Sequence, residues 1–268
     1  MSFANQTRSR AGIAAAALAV LCAGCSQASR LDAKCVAGDV AACTQLGDMY
    51  ANGRGVTRDL ARAGQSYERA CNGGVADVCN TLGEIVEVTG SIEGGSKRAE
   101  QLFQKACQGG SSPGCLNLGL AAAAREEFTL ANALYEKSCD GGWAPGCHQF
   151  GVSYQQGEGV AKDMAKAVSL FVLACDNEFA DSCVLLGNLY ATGEELPKDN
   201  VQAVTFYGKA LKLYQDSCAV GNVSDCTERD RLRTRVALVG AAPAAAPAPA
   251  PGAGPDAPPP APGAGPIK

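Results

Sequence analysis

The sequence predicts an all-α fold, an array of stacked helix pairs, on three observations. Twelve of the 14 cysteines fall into six pairs of one kind, C-x7-C: Cys35/Cys43, Cys71/Cys79, Cys107/Cys115, Cys139/Cys147, Cys175/Cys183 and Cys218/Cys226. Successive pairs begin 36, 36, 32, 36 and 43 residues apart, and self-similarity at such a period marks a repeat architecture. Between one pair and the next, apolar residues recur twice at helical spacing, so each unit reads as two amphipathic helices.

In chain order, residues 1–24 come first and contain no acidic side chain. Arg8 and Arg10 precede the apolar run "AGIAAAALAVLCAG", and small residues follow ahead of Cys25, which is the layout of an export signal. Fourteen residues of helix reach about 21 Å, short of the roughly 30 Å hydrocarbon core, so a spanning anchor is the weaker expectation. Ser9 separates the two arginines, which rules against a twin-arginine signal. With Arg8 and Arg10 removed, 21 of the 23 basic side chains remain against 27 acidic ones, a formal −6. A chain that acidic repels phosphate backbones, so nucleic acid is not expected as a partner.

Residues 25–34 are expected to be a linker, and 35–236 the repeat array of five units and a C-terminal cap helix. The first helix of each unit begins at the second cysteine of a pair. There the stripe is Leu46-Gly47 and Tyr50, Leu82-Gly83 and Val86, Leu118-Gly119 and Ala122, Phe150-Gly151 and Tyr154, Leu186-Gly187 and Tyr190. A mid-helix glycine costs about 1 kcal/mol relative to alanine, so five in one register need a compensating reason. Close backbone approach between neighbouring helices is the expected one.

The second helix ends on the first cysteine of the next pair, with Ala, an aromatic residue and Cys four apart. The sets are Ala63/Tyr67/Cys71, Ala99/Phe103/Cys107, Ala131/Tyr135/Cys139 and Ala167/Phe171/Cys175, each on one helix face. Loops such as "ANGRGVTRD" and "QQGEGVAKD" join the two helices, with Asp59, Asp163 or Asp199 placed to cap the second. Nucleotide-binding loops are not expected from these glycines, because no G-x4-G-K-[ST] occurs and no strand pattern precedes them.

Between the cysteines of a pair lie segments such as "NGGVADV", "QGGSSPG" and "DGGWAPG". On one continuous helix the two Cα atoms would stand about 12 Å apart, beyond the roughly 7 Å that a disulfide tolerates. The Gly-Gly and Pro must therefore turn the chain, which brings the pair within bonding distance. A ring this small contributes about 2.5 kcal/mol on the loop-entropy argument. Zinc is the rival for paired cysteines, but structural zinc favours ligands two to four apart, and His148 is the single histidine. Export into an oxidising compartment also favours disulfides.

On these residues the chain resembles the Sel1-like repeat, a relative of the tetratricopeptide repeat, in the disulfide-bridged form of the Helicobacter cysteine-rich proteins. The resemblance covers about residues 31–236, and "CTQLGDMYANGRGVTRDLARAGQSYERAC" carries nearly every position of the motif. It implies a right-handed α/α solenoid with each junction stapled by its C-x7-C disulfide. Two units depart from the motif. The third, Cys107 to Ser138, is four residues short and lacks the G-x-G-V loop, and the second replaces that loop with "VTGSIEGGSK".

The fifth unit departs by extension, because Leu211 stands where a period of 36 would put a cysteine and the actual one is Cys218. Seven extra residues are almost two helical turns and rotate the face by only about 20°, so a longer helix still allows the bridge. After Cys226 the stripe positions hold Arg229 and Asp230, as suits a terminal cap helix. Residues 237–268 form the tail; ten of the 13 prolines lie between Pro243 and Pro266, a composition that cannot build a core. A spacer is the plain expectation for the tail, and a ligand for a proline-binding module the alternative.

Catalytic signatures are absent from the sequence: no S-x-x-K, G-x-S-x-G or H-E-x-x-H occurs. His148 is expected to be structural, and Trp143 to cover its disulfide rather than to act as an exposed recognition group. No catalytic residue, metal or cofactor is predicted. The resemblance implies an interaction scaffold that holds a protein or peptide partner on its helical surface. It also implies an alternative, because some Helicobacter cysteine-rich proteins have been described as binding or slowly hydrolysing β-lactams. A third class, an envelope thiol redox protein, would require reactive thiols in the mature chain.

Cys22 and Cys25 are left over from the six pairs. Ala23-Gly24-Cys25 resembles the end of a bacterial lipobox, which implies cleavage before Cys25, a lipid on Cys25 and an even twelve cysteines for disulfides. The departure is Cys22, where the family usually has Leu; if an ordinary signal peptidase cuts instead, Cys25 survives as an odd thiol. Ser26, in place of the Asp of an inner-membrane retention signal, leans toward the outer membrane. The expected location is the cell envelope, lipid-anchored through Cys25, with a soluble periplasmic or secreted form as the alternative.

Overall fold

The computed structural model describes residues 27–89 and 95–241, and all regular structure among them is helical. Helix α1 covers 27–36, and eleven helices follow: α2 (Val40–Asn52), α3 (Leu60–Asn72), α4 (Ala76–Thr89), α5 (Gly95–Gln108), α6 (Ser112–Ala123), α7 (Phe128–Asp140), α8 (Ala144–Gln156), α9 (Met164–Asp176), α10 (Ala180–Thr192), α11 (Asn200–Ala219) and α12 (Val223–Ala241). The expected signal at 1–24, the leftover Cys22 and Cys25, and the tail from 242 onward lie outside the described residues. The chain divides into two compact units, one ending at Leu186 and one beginning at Gly187. Repeat arrays have no single core shared by every element, so a unit can end partway through the expected 35–236 array.

In the first unit the pairs are antiparallel neighbours: α2 packs on α3, α4 on α5, α6 on α7 and α8 on α9. The second helix of each pair then packs on the first helix of the next, α3 on α4, α5 on α6 and α7 on α8. In the second unit α11 packs on α12. The pair α6/α7 forms although its loop is reduced to Ala124–Glu127, because the buried stripe of Ala122, Ala131 and Tyr135 is intact.

The stripe glycines have a different neighbour from the one expected. Each faces the aromatic ring of its partner helix rather than a backbone: Gly47 meets Tyr67, Gly83 Phe103, Gly119 Tyr135, Gly151 Phe171 and Gly187 Tyr207. A Cβ at Gly119 would stand 2.7 Å from Tyr135 Cε1, and one at Gly151 2.6 Å from Phe171 Cε1, so no side chain fits. Five of the second-helix rings are thus seated on glycine, and Phe103, Phe171 and Tyr207 are at most 1% exposed.

All six cysteine pairs are disulfides. The Cα separations are 4.6 Å for Cys35–Cys43, 4.7 Å for Cys71–Cys79 and 4.4 Å for Cys107–Cys115. They are 4.5 Å for Cys139–Cys147 and 4.9 Å for both Cys175–Cys183 and Cys218–Cys226. The turn inside each ring puts its third residue after the first cysteine at positive φ. Five of these are glycine, among them Gly74 at 96° and Gly221 at 102°, and the sixth is Glu178 at 65°. The longer α11 reaches Cys218 with its extra turns, and the bridge to Cys226 forms. Asp59, Asp163 and Asp199 cap α3, α9 and α11, each carboxylate accepting from backbone N–H groups of the first turn.

Most of these sulfurs belong to the core. Cys43, Cys79, Cys115, Cys147 and Cys183, the second cysteines of the first five pairs, are all buried. Cys35 and Cys43 join the core of the first pairs, Cys79 clusters with Cys71 and Ala106, and Cys147 with Ala144 and Ala174. A closed disulfide has no charge to solvate, so it packs at a junction as an apolar group. Cys226 is the one second cysteine that is partly exposed.

At two junctions a lysine two residues ahead of the first cysteine makes a tie to the junction before, whereas the same position holds Leu173 ahead of Cys175 and Asp216 ahead of Cys218. Lys105 Nζ donates to Asn72 Oδ1 at 2.9 Å and Lys137 Nζ to Cys107 O at 3.0 Å. A positive charge in the last helical turn also suits the helix dipole.

One boundary changes. The linker expected over 25–34 is helical from residue 27, and Ala28 is 5% exposed while Leu31 packs against the cores of the first pair. Burial of these apolar side chains draws the segment onto α2 and α3.

Candidate interaction face

Because α4 meets α6 and α6 meets α8, the first helices of successive pairs lie side by side in the first unit. Their shared side carries a polar cluster that crosses from unit to unit. Asn80, on α4 and only 6% exposed, donates from Nδ2 to Glu84 Oε1 at 2.8 Å. Asn117, on α6, donates to Asn80 Oδ1 at 2.9 Å and to Glu84 Oε1 at 3.2 Å. The buried amide thereby fixes the half-exposed Asn117 and the exposed Glu84 in place.

Asp48 holds the same position in the first unit as Glu84 in the second, five residues after the second cysteine. Its carboxylate accepts from Tyr67 Oη at 2.8 Å. Burial, then the neighbouring Asp48, push the Tyr67 phenol well above its ordinary range, so it stays a donor. In the third unit that position is Leu120, 42% exposed. The face of α4 and α6 therefore presents a fixed carboxylate and an amide with an apolar side chain beside them, and α2 carries a second fixed carboxylate in the same register. Such a surface offers acceptors to the N–H groups of an extended chain or to a cationic side chain.

The predicted bridge residues take no part in this face. Cys43, Cys79, Cys115, Cys147 and Cys183 are each closed in a disulfide and buried at a junction, so they hold the helices that carry the face without touching what it binds.

His148 lies on α8, between the rings of Phe171 and Phe179 at centroid distances of 5.5 and 5.2 Å. Its Nδ1 shares a 2.7 Å hydrogen bond with Ser182 Oγ. Burial lowers its pKa, against a smaller opposing effect of Asp181. A serine beside a histidine is the beginning of a nucleophile and base pair, but Ser182 is 0% exposed, and the partly buried imidazole packs against the two rings. As arranged, the pair joins α8 to the first turn of α10. Trp143, at the N-cap of α8, is 40% exposed.

Among the described residues no group of three or more His, Cys, Asp or Glu side chains is placed to hold a metal ion. No described helix is long and apolar enough to cross a membrane. The Asn80, Glu84 and Asn117 cluster is not predicted from the sequence. Its one trace there is a polar residue one or two places after the second cysteine, Asn80, Asn117 and His148 in turn.

The family model described as Sel1 repeat matches residues 40–75, 89–111, 144–179 and 180–214. Between these matches it passes over 76–88, most of α4, and 112–143, which holds the whole of α6 and α7, the pair with the shortened loop. No curated protein matches the sequence. Among solved structures, a Sel1 repeat protein from Oxalobacter formigenes is 23% identical over 65% of this chain and 74% of its own, with a TM-score of 0.59. An immunity protein from Pseudomonas aeruginosa is 19% identical over 69% of this chain and 73% of its own, with a TM-score of 0.50. Cysteine rich protein B of Helicobacter pylori is 28% identical over 48% of this chain and 96% of its own, with a TM-score of 0.40.

Proposed function

The chain carries Sel1 repeats, and from that premise we propose that it is an exported, non-catalytic scaffold holding a protein or peptide partner in the cell envelope. Repeat arrays of this kind generally work through an extended binding surface. The observation that carries the proposal is the Asn80, Glu84 and Asn117 cluster across α4 and α6, with Asp48, held by Tyr67, at the equivalent register position on α2. These side chains are held by neighbours and need little ordering on binding, which lowers the entropic cost of association.

Six disulfides support an oxidising compartment. Anchoring through a lipid on Cys25 rests on the lipobox resemblance, with Ser26 in favour of the outer membrane. Helix α1 is already under way at residue 27, so such a lipid would set the first repeat against the bilayer without a long tether. Cys25→Ala is expected to move the protein from the membrane to the soluble fraction; unchanged association would remove the anchor from the proposal.

The scaffold is tested by affinity capture from envelope extracts with the chain immobilised through its C-terminal end. Capture of a defined partner is expected, and Asp48→Ala with Glu84→Ala is expected to weaken it about tenfold or more, corresponding to two charge-assisted contacts. Retention by the Pro-rich tail alone would count against the folded repeats as the binding element. Purified protein is expected not to turn over a chromogenic cephalosporin, and turnover abolished by Ser182→Ala would replace the scaffold with a hydrolase.

A further inference from the structure

Of the six bridges, Cys218–Cys226 has the least cover. Both of its cysteines are partly exposed, whereas each of the other five has at least one buried half. The turn that it closes, residues 219–224, is exposed throughout, with Val220 at 87% and Val223 at 76%. Arg229 Nη1 donates to Cys218 Sγ at 3.2 Å, and the Asp230 carboxylate holds the rest of the guanidinium, at 2.8 Å to Nε and 3.1 Å to Nη2. The comparable Arg69 stands 4.0 Å from Cys35 Sγ, and that sulfur belongs to a buried residue.

We propose that Cys218–Cys226 is a thiol–disulfide exchange site, where a dithiol reductant opens the last junction while the other five bridges stay closed. Exchange requires access to a sulfur and is faster when the departing thiolate is stabilised. The guanidinium supplies that stabilisation at Cys218. Asp230 neutralises part of that charge through its two contacts, while the Nη1–H aimed at Cys218 Sγ is left to donate to the departing thiolate.

The chemistry balances as two exchanges. A thiolate of the reductant attacks Cys226 Sγ, forming a mixed disulfide, and the electron pair of the broken bond leaves on Cys218. The second thiol of the reductant, as thiolate, attacks its own mixed-disulfide sulfur and releases Cys226. The reductant ends as a disulfide, two electrons poorer, and its two protons end on Cys218 and Cys226. Helix α12 then loses its covalent tie to α11 but keeps the 2.7 Å hydrogen bond from Arg235 Nη1 to Asn188 Oδ1.

The test treats the oxidised full chain with dithiothreitol in native buffer, quenches with acid and reads each bridge by differential alkylation and peptide mass spectrometry. Cys218 and Cys226 are expected to be labelled at least tenfold faster than the other ten cysteines of the array. Another bridge opening first, or all six opening together, overturns the proposal. Arg229→Gln is expected to slow this bridge severalfold and Arg229→Lys to stay close to the parent, with helix content followed by circular dichroism. Equal rates in all three with helix content unchanged would overturn the part given to Arg229. If Arg229→Gln loosens α12, the ranking of the six bridges in the unsubstituted chain decides.

Discussion

Gly83 and Gly208 are both helical glycines, yet opposite outcomes are expected when each gains one methyl group. A Cβ at Gly83 would fall inside 3.0 Å of the Phe103 ring, which is 1% exposed and has nowhere to go. Gly83→Ala is expected to destabilise by about 1–3 kcal/mol, the range for overpacking a tight core. At Gly208 nothing lies within 4 Å, so Gly208→Ala is expected to stabilise α11 by about 0.5–1 kcal/mol through backbone entropy alone. Denaturant midpoints of the two variants check both signs. His148 gives a second prediction, because burial holds its folded pKa below the unfolded 6.5. Between those two values the unfolded chain binds more protons, so stability rises with pH there. The contribution is fully present above 6.5 and is lost as pH falls toward the folded pKa. The chain has one histidine, so a single imidazole titration followed by NMR is expected to have its midpoint below 6.5. His148→Gln is expected to flatten that part of the melting profile.

At the scale of elements, ends and turns set what a substitution does. Asp59 accepts from the N–H groups of Ala61 and Arg62, both at 3.0 Å, and its loss leaves them without this partner. Asp59→Ala is expected to cost about 1 kcal/mol. Glu178 occupies at φ 65° the turn position that glycine fills in the other five junctions. A non-glycine residue there carries roughly 1–2 kcal/mol of strain, offset by glycine's greater unfolded freedom, so Glu178→Gly is expected to gain up to about 1 kcal/mol. Thermal melts of both variants against the parent settle the signs. These local features are the legible ones: a cap is read from Asp and the residues after it, and a helix face from Ala, ring and Cys four apart. Helix α1 is harder to see, because Gln27 and Leu31 stand where later units have Ala and an aromatic ring. The hydrogen bond from Asn117 to Asn80 joins residues 37 apart in sequence and exists only once two units stack. The five glycines are visible as a register, but their neighbour is not, since the ring that fills each space lies on the next helix.

For the molecule as a whole, stability is a sum of pair and neighbour terms, because each repeat packs mainly on the ones beside it. A bridge therefore acts where it sits. Each nine-residue ring is worth about 2.5 kcal/mol on the loop-entropy argument, but the effect of removing it depends on what lies on either side. Cys107–Cys115 joins α5 to α6, and Lys137 donates to the Cys107 carbonyl from the pair beyond, so this junction is braced from two directions. Substituting both cysteines by alanine is expected to lower hydrogen-exchange protection on α4 to α7, since the loosened turn is shared by two packed pairs. Cys218–Cys226 has α11 on one side and the terminal helix α12 on the other. Its removal is expected to reduce protection on α12 and the last turns of α11, and to leave α2 to α9 at parental values. Exchange measured by mass spectrometry on both double variants distinguishes this local behaviour from a single cooperative body. In a cooperative body either loss would lower protection everywhere by the same amount.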